Sequence, residues 1–332
     1  MAGAAAAADG WDLGGGAEPV VIGFYLVPGF PLLSVSAAID PLRQANRLSG
    51  RTLYRWVLIS ADGGPVRSSA GVDVAADGSI DTAPPCHLVI VCAGLDTTAH
   101  YSRRLFSWFR RLRRQACRLG AISTGAYLLA QAGMLDGRRC AVHWEAAAEF
   151  QDAFPRCRLT RDIFSVDGPF ITSSGGTVTL DMMLYIVEAA HGRPLAAAIS
   201  EQLNHSRIRL NDEAQRMRPQ AKFGITHANL CEVIRLMEEH IDAPLDLATL
   251  ARRVALSRRQ LERLFRTHLK DTPSGFYLRL RMERARTLIT QSTLGLPEIA
   301  RNCGYETLGP FGRMYRRQFG ITPAQARRGA GL

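Results

Sequence analysis

Long hydrophobic runs are missing from this chain of 332 residues: no stretch approaches the ~18 consecutive apolar residues of a membrane-spanning helix. None of the seven cysteines (Cys86, Cys92, Cys117, Cys140, Cys157, Cys231, Cys303) belongs to a CxxC pair. That excludes the common zinc-site and disulfide-framework spacings and leaves buried thiols of a reducing cytosol. The opening stretch MAGAAAAADGWDLGGG lacks the basic residues of a secretory leader. Residues 1–17 are therefore expected to be a disordered tail. What is present is charge of one sign. The net charge is +11, and residues 229–332 hold 18 arginines and lysines against 10 acids. The excess is concentrated in the last third, as a polyanion-binding domain requires.

That last third contains one pattern twice. In LATLARRVALSRRQLERLFRTHL (Leu247–Leu269), Leu247, Leu250, Ala251 and Val254 recur at helical spacing. Ala255-Leu256 interrupts them, and Ser257 is placed to cap a second helix. Leu261, Leu264, Phe265 and Leu269 form the inner stripe of that helix, with Arg258, Arg259, Arg263 and Arg266 largely off it. Two short helices, a tight turn and an arginine-studded second helix predict a helix-turn-helix. About fifty residues on, Ile299, Ala300 and Cys303 end one short helix and GYET makes a turn. Phe311, Met314, Tyr315 and Phe319 line the next helix, with Arg313, Arg316 and Arg317 outside. A solvated helix hairpin with incidental arginines explains one copy; two copies favour DNA binding.

This tandem, closed by FGITPAQAR, resembles the AraC/XylS family of transcription regulators. LARRVALSRRQLERLFR and IARNCGYETLGPFGRMYRRQFGITP carry the resemblance. It implies contact with promoter DNA through Ser257, Arg258, Arg259, Gln260, Arg263, Arg266, Thr307, Arg313, Arg316 and Arg317, and partnership with RNA polymerase as a homodimer. Gly309-Pro310 departs from the pattern. Proline suits a first helical turn, but glycine offers no side chain to a base, so the second helix is expected to read less sequence than the first.

Upstream, strands alternate with helices. VVIGFYLV (Val20–Val27), YRWVLIS (Tyr54–Ser60) and HLVIVCAG (His87–Gly94) read as strands. Residues 33–48 read as a helix with a break at Asp40-Pro41, and Tyr101–Arg118 as a basic amphipathic helix with a solvated cationic face. LGAISTGAYLLAQAGML and PFITSSGGTVTLDMMLYIVEAAHG each pass from a strand through a sharp turn into a helix. The pattern predicts a flavodoxin-like α/β domain over 18–202, with a mostly parallel sheet between helical layers. A polar linker over 203–228 and an all-α domain with two helix-turn-helix motifs over 229–332 follow. Ser123 occupies the strand-to-helix turn, which aims a side chain into the crevice at the strand ends. The N–H groups of the following helix and of Gly94 are expected to favour an anion there.

The stretches VPGFPLLSVSAAIDPLRQANRLSG, YRWVLISADGGPVRSSAG, AISTGAYLLAQAGMLDGRRCAVHWE and SSGGTVTLDMMLYIVEAAHGR resemble the PfpI-like, class I glutamine-amidotransferase-like domain. Its fusion to AraC-type helices resembles the GlxA-type regulators, among them regulators responsive to glycine betaine, carnitine or arginine. The resemblance implies an elbow cysteine, a glutamate and often a histidine in the enzymatic relatives. Here Ser123 stands at the elbow, Ser34 at the glutamate position, and His143 matches the histidine. A serine needs an adjacent base; His143, oriented by Asp181 or Glu145, is the only candidate. An amidase- or hydrolase-like enzyme with an attached DNA anchor is therefore the alternative, and an architectural DNA binder the third reading.

The preferred reading is a cytoplasmic transcription regulator, an activator by resemblance, without enzymatic activity, metal or cofactor. A small zwitterionic effector of the betaine, carnitine or arginine class would bind in the α/β domain. Ser123 and Thr124 would hold its carboxylate. Phe30, Tyr127 and Trp144 would face a quaternary ammonium, or Glu145 would pair with a guanidinium. Ser34, Gly94 and His143 complete the candidate site. Trp144 and Tyr127 read equally well as core aromatics, and His143 as a structural histidine.

Overall fold

The apolar run at the start of the α/β domain forms β1 (Val20–Leu26), whose residues are buried except half-buried Val21. β1 pairs in parallel with β2 (Tyr54–Ser60) on one side and β6 (Leu88–Ala93) on the other. The computed structural model describes residues 11, 13, 18–94, 97–213, 215, 223–291 and 294–329. The chain divides into two compact units, Met1–Gln215 and Arg216–Leu332.

In the first unit, β6 is followed in the sheet by β7 (Arg118–Ser123), then β11 (Phe170–Ser173), all parallel. β10 (Phe164–Asp167) adds an antiparallel edge beside β11, and the two-residue β5 (Gly78–Ser79) lies beyond β2. The order of the five main parallel strands, β2-β1-β6-β7-β11, is flavodoxin-like, with its reversal between β1 and β6. Two small ladders, β3 (Val66–Arg67) with β4 (Asp73–Val74) and β8 (Arg139–Cys140) with β9 (Arg158–Leu159), stand apart from the main sheet.

Helices cover both faces, which is why β6 has six buried residues in succession. On one face lie α1 (Leu32–Ser49), α5 (Val178–His191) and α6 (Arg193–Gln202), contributing Ala38, Leu42, Met182, Ile186 and Ile199 to a common core. On the other lie α2 (Arg103–Arg114), α3 (Gly125–Gln131) and α4 (Ala147–Ala153), contributing Leu105, Phe109, Leu128 and Phe150. The break expected at Asp40-Pro41 does not occur. α1 runs through Pro41, because Ala38, Leu42 and Ala45 bury fully around it and that packing offsets the lost backbone hydrogen bond.

The expected tail also needs correction at two positions. Trp11 and Leu13 are buried in the α/β core. The Trp11 indole N–H donates to the Gly168 carbonyl at 3.0 Å, and the Arg118 guanidinium lies 4.9 Å from its ring centroid. A large ring with one polar edge gains from this placement. The rest of 1–17 lies outside the described residues. Much of the expected linker is likewise folded. The Asn211 carbonyl accepts from Ile163 N–H at 3.0 Å, and the Gln215 amide donates to the Val142 and Asp162 carbonyls. Phe223 stacks on Phe276, and Ile225 is buried in the second unit. Residues 214 and 216–222 lie outside the described residues.

The second unit comprises α7 (Ala228–Glu239), α8 (Leu247–Arg253), α9 (Arg258–Leu269), α10 (Pro273–Gln291), α11 (Leu296–Asn302), α12 (Leu308–Phe319) and α13 (Pro323–Gly329). It has two cores that share one helix. Phe276, Tyr277 and Leu280 of α10 pack with Leu230, Val233, Leu250, Leu261 and Phe265. Met282, Ala285 and Ile289 pack with Ile299, Phe311 and Tyr315. Among the described residues no helix is long and apolar enough to cross a membrane.

Candidate functional site

The carboxyl ends of β1, β6, β7 and β11 gather the first site. Ser123 ends β7 with φ +60, a backbone conformation that costs a residue with a Cβ energy unless its surroundings enforce it. The neighbour that makes room for it is Gly175, just past β11. A Cβ on Gly175 would stand 2.9 Å from Ser123 Cβ, and its own φ is +89. Glycine is thus required at 175 by space and by dihedral. The next residue, Gly176, donates its N–H to Ser34 Oγ at 2.8 Å. Ser34 is fully buried near the start of α1. It acts as a strut under the Gly175-Gly176 loop.

Gly94 follows β6, whose last residue, Ala93, is in register with Ser123. A Cβ at Gly94 would meet the Gly29 carbonyl at 2.2 Å, so the β1–α1 loop closes tightly over it. Its carbonyl is engaged: Thr97 Oγ1 donates to it at 2.7 Å, and Thr124 Oγ1 donates to it as well. Thr124 is buried, its hydroxyl also lying 2.7 Å from Thr97 Oγ1. Thr124 therefore braces the elbow and does not present its hydroxyl to solvent. Phe30 and Tyr127 are likewise core residues and not aromatic faces of a pocket. Phe30 is fully buried. Tyr127 packs edge-on against Phe150 and Phe154 and donates its hydroxyl to the Ala146 carbonyl at 2.9 Å.

His143 reaches the same edge by a different route. Ala141 N–H donates to Thr172 Oγ1 in β11 at 2.8 Å, and Thr172 is in register with Ala121, two residues before Ser123. His143 is half-buried; its Nδ1 accepts from the Glu145 backbone N–H at 3.4 Å and lies 3.8 Å from the Glu145 carboxylate. Trp144 packs tilted against the His143 ring at 5.5 Å and is 37% exposed.

Asp181, the other acid considered for His143, is committed elsewhere. It is fully buried on α5, accepting from the Arg209 backbone N–H and Nε at 2.8 Å each, with His205 Nε2 at 2.7 Å. Arg209 also donates to Thr177 Oγ1 at 3.0 Å. This clamp ties the segment after α6 to the start of α5, directly downstream of the Gly175-Gly176 loop. In the sequence SSGGT reads only as a sharp turn between a strand and a helix, and its packing against the elbow comes from the structure. The seven cysteines are free; burial pushes the Cys117 and Cys303 thiols up to about 12, while Cys157, hydrogen-bonded to Cys140, is shifted down.

In the second unit the two turns repeat atom for atom in their backbone bonding. Val254, Ala255 and Leu256 donate to the carbonyls of Ala251, Arg252 and Ala251 at 3.2, 3.1 and 2.9 Å. Cys303, Gly304 and Tyr305 donate to those of Ala300, Arg301 and Ala300 at 3.1, 2.8 and 2.9 Å. The middle residue is left-handed in both, Ala255 at φ +54 and Gly304 at φ +73. Arg281 of α10 seals the second turn, donating to the Cys303 and Gly304 carbonyls at 2.7 and 2.8 Å beneath the Tyr305 ring.

The two recognition helices start differently. α9 has a capping box in which Ser257 accepts from Gln260 N–H at 3.3 Å and the Gln260 side chain accepts from Ser257 N–H at 2.8 Å. Ser257 and Gln260, expected at the DNA, have these atoms engaged in the cap. Thr307 precedes α12 without a capping bond. Arg258, Arg259, Arg263, Arg266, Arg313, Arg316 and Arg317 are all exposed. Their side chains have no hydrogen-bond or ion-pair partner among the described residues.

Known proteins share both units in the same order. Residues 23–189 match the DJ-1/PfpI family and residues 250–329 a helix-turn-helix domain. The chain is 44% identical to the HTH-type transcriptional regulator CdhR of Pseudomonas aeruginosa, over 92% of this chain and 90% of that one. The chain belongs to the AraC-type transcriptional regulators with a DJ-1/PfpI domain. It is also 44% identical to the HTH-type transcriptional regulator GbdR of the same species, over 95% of this chain and 86% of the relative. The crystal structure of an AraC family transcriptional regulator from Pseudomonas putida aligns with 56% of the chain and all of its own length, at TM-score 0.52 and 28% identity. This AraC-type regulator is therefore a DNA-binding protein whose α/β unit is of the PfpI-like sensing kind.

Proposed function

We propose that this regulator is a cytoplasmic transcription activator, acting as a homodimer on promoter DNA and on RNA polymerase, and controlled by a small zwitterionic metabolite at the Ser123 elbow. The observation that carries the sensor reading is Ser123 itself, at φ +60 at the strand ends and packed closely against Gly175. A strained turn persists where the surrounding structure over-determines it, and such turns concentrate at ligand sites. The Ser123 hydroxyl is the group for a ligand carboxylate. Trp144 offers a quaternary ammonium a cation–π face worth roughly 0.5–2 kcal/mol, whereas Glu145 suits a guanidinium. A betaine, carnitine or arginine type of effector fits this set.

Hydrolysis is the weaker reading. Its catalytic base would be His143, and Asp181 is buried against Arg209 and His205, leaving Glu145 as the acid beside His143. A serine hydroxyl without a well-oriented base is a poor nucleophile. The test is thermal unfolding of the full chain with glycine betaine, dimethylglycine, carnitine, choline or arginine. A ligand at 100 times its Kd stabilises the unit it binds by about 2.7 kcal/mol. A rise in Tm with one compound, lost in Ser123→Leu, supports the assignment. No rise with any of them, or amide and ester turnover abolished by Ser123→Ala, overturns it.

A further inference from the structure

The second recognition helix opens on an apolar residue in the position where such helices meet base edges. Leu308 is the first residue of α12, and it is 43% exposed. Thr307, Gly309 and Pro310 around it are exposed too, while Phe311 and Tyr315, further along the helix, are buried in the core. The first residues of a recognition helix are those that reach base edges in the major groove. A single exposed leucine is unremarkable on an ordinary surface; here its neighbours give it a context. Gly309 contributes no side chain, and Arg313 fills the space it leaves: Arg313 NH1 stands 3.7 Å from where a Gly309 Cβ would be. The guanidinium thus lies back along the first turn, beside Gly309, with no partner among the described residues. Pro310, third in the helix, loses no intrahelical bond there.

We propose that Leu308 makes the second helix-turn-helix read a thymine through its 5-methyl group, next to a guanine held by Arg313. The thymine methyl is the one apolar group on the major-groove edges, and guanine O6 and N7 are the acceptors that match an arginine. α9 starts instead with Arg258 and Arg259, which suit hydrogen-bonded readout. The two helices then divide the work by chemistry. The first reads through charged donors. The second reads through a methyl contact plus one guanidinium. Gly309, expected to leave the second helix with less to read, leaves open the space into which Arg313 extends.

This inference rests on the exposed arginine faces being the DNA-binding faces. The test starts by selecting binding sites for the full-length protein from a random duplex library. Each thymine of the selected site is then replaced in turn by deoxyuridine, and Kd is measured at fixed salt. One replacement, in the half bound by the second helix-turn-helix, should weaken wild-type binding about three- to fivefold, as expected for one buried methyl group. Leu308→Ala should bind the thymine and uracil sites alike, and Arg313→Ala should lose the preference for the adjacent guanine. Leu308 is exposed, so the variant is expected to keep the wild-type melting curve, which checks its folding. Equal wild-type affinity for every uracil-substituted site overturns the inference while leaving the DNA-binding faces intact. So does a Leu308→Ala protein that keeps the discrimination, or one that loses only transcriptional output, which would place Leu308 against the polymerase. Failure to select any sequence overturns both this inference and the reading beneath it.

Discussion

Ser34, which the resemblance aligns with an acidic position, is tied into the structure. Its hydroxyl accepts from the N–H of half-buried Gly176, so Ser34→Ala leaves a part-buried donor unpaired. The expected cost is about 1–3 kcal/mol in denaturant unfolding of the α/β unit, accompanied by weaker ligand binding because the Gly175 support under Ser123 loosens. A second residue-scale prediction concerns Asp246, which caps α8 by accepting from Thr249 N–H at 2.7 Å. That bond holds its carboxyl below the usual range. A depressed folded value means that the stabilisation is present above the unfolded pKa and is lost as pH falls through the folded one. Thermal unfolding of the wild-type helical unit should therefore fall off more steeply below pH ~4 than that of Asp246→Asn, which keeps a neutral cap. At this scale residue type was a partial guide to the site. The turn at Ser123 was legible because the strand-turn-helix pattern is written in a short window around it. Phe30, Tyr127 and Thr124 were misplaced because an aromatic ring or a threonine beside an elbow serves equally well as core or as lining, and only packing decides. Trp144, of the same chemical kind, fell on the exposed side.

The paired turns are the clearest element-scale feature. Both demand a left-handed residue, and the first supplies alanine. Left-handed backbone costs a residue with a Cβ roughly 1–2 kcal/mol, while glycine costs somewhat less than 1 kcal/mol in unfolded-state entropy. Ala255→Gly should accordingly stabilise the helical unit by about 0.5 kcal/mol. Gly304→Ala should destabilise it by at least ~2 kcal/mol, because its Cβ would also meet Pro244 at 2.6 Å and the Ile241 carbonyl at 2.9 Å. Denaturant titration of both variants checks the opposite signs. These turns were legible because each helix-turn-helix is written within a short window, with apolar spacing on both sides of the break. The Asp181 clamp was not. Its partners lie 24 and 28 residues away, in a stretch whose polar composition reads as linker, and a buried ion pair leaves no periodic trace. Trp11 escaped notice for the same reason: alanine and glycine around it carry no pattern.

At the scale of the whole molecule, the surplus of positive charge in the last third includes seven exposed arginines without side-chain partners among the described residues. If the four not assigned to bases, Arg263, Arg266, Arg316 and Arg317, each neutralise one phosphate, log K should fall against log salt with a slope of about −4. Arg316→Ala should reduce that slope by about 1 without changing sequence preference. Arg259→Ala should cost roughly 1–3 kcal/mol and relax specificity at one base pair. Binding isotherms at several salt concentrations separate the two outcomes. The shared helix α10 sets a further condition. Its first half belongs to one core and its second half to the other, so it works as a ruler that fixes the distance and the rotational phase of the two DNA readers. One residue inserted between Leu280 and Arg281 would turn the second reader by about 100°, away from its groove. Seven residues would nearly restore the phase, to within about 20°, and lengthen the ruler by about 10.5 Å. At about 3.4 Å per base pair, that is about three base pairs, over which the groove itself turns by about 100°, so the altered protein should lose simultaneous binding of both half-sites even though its own phase is restored.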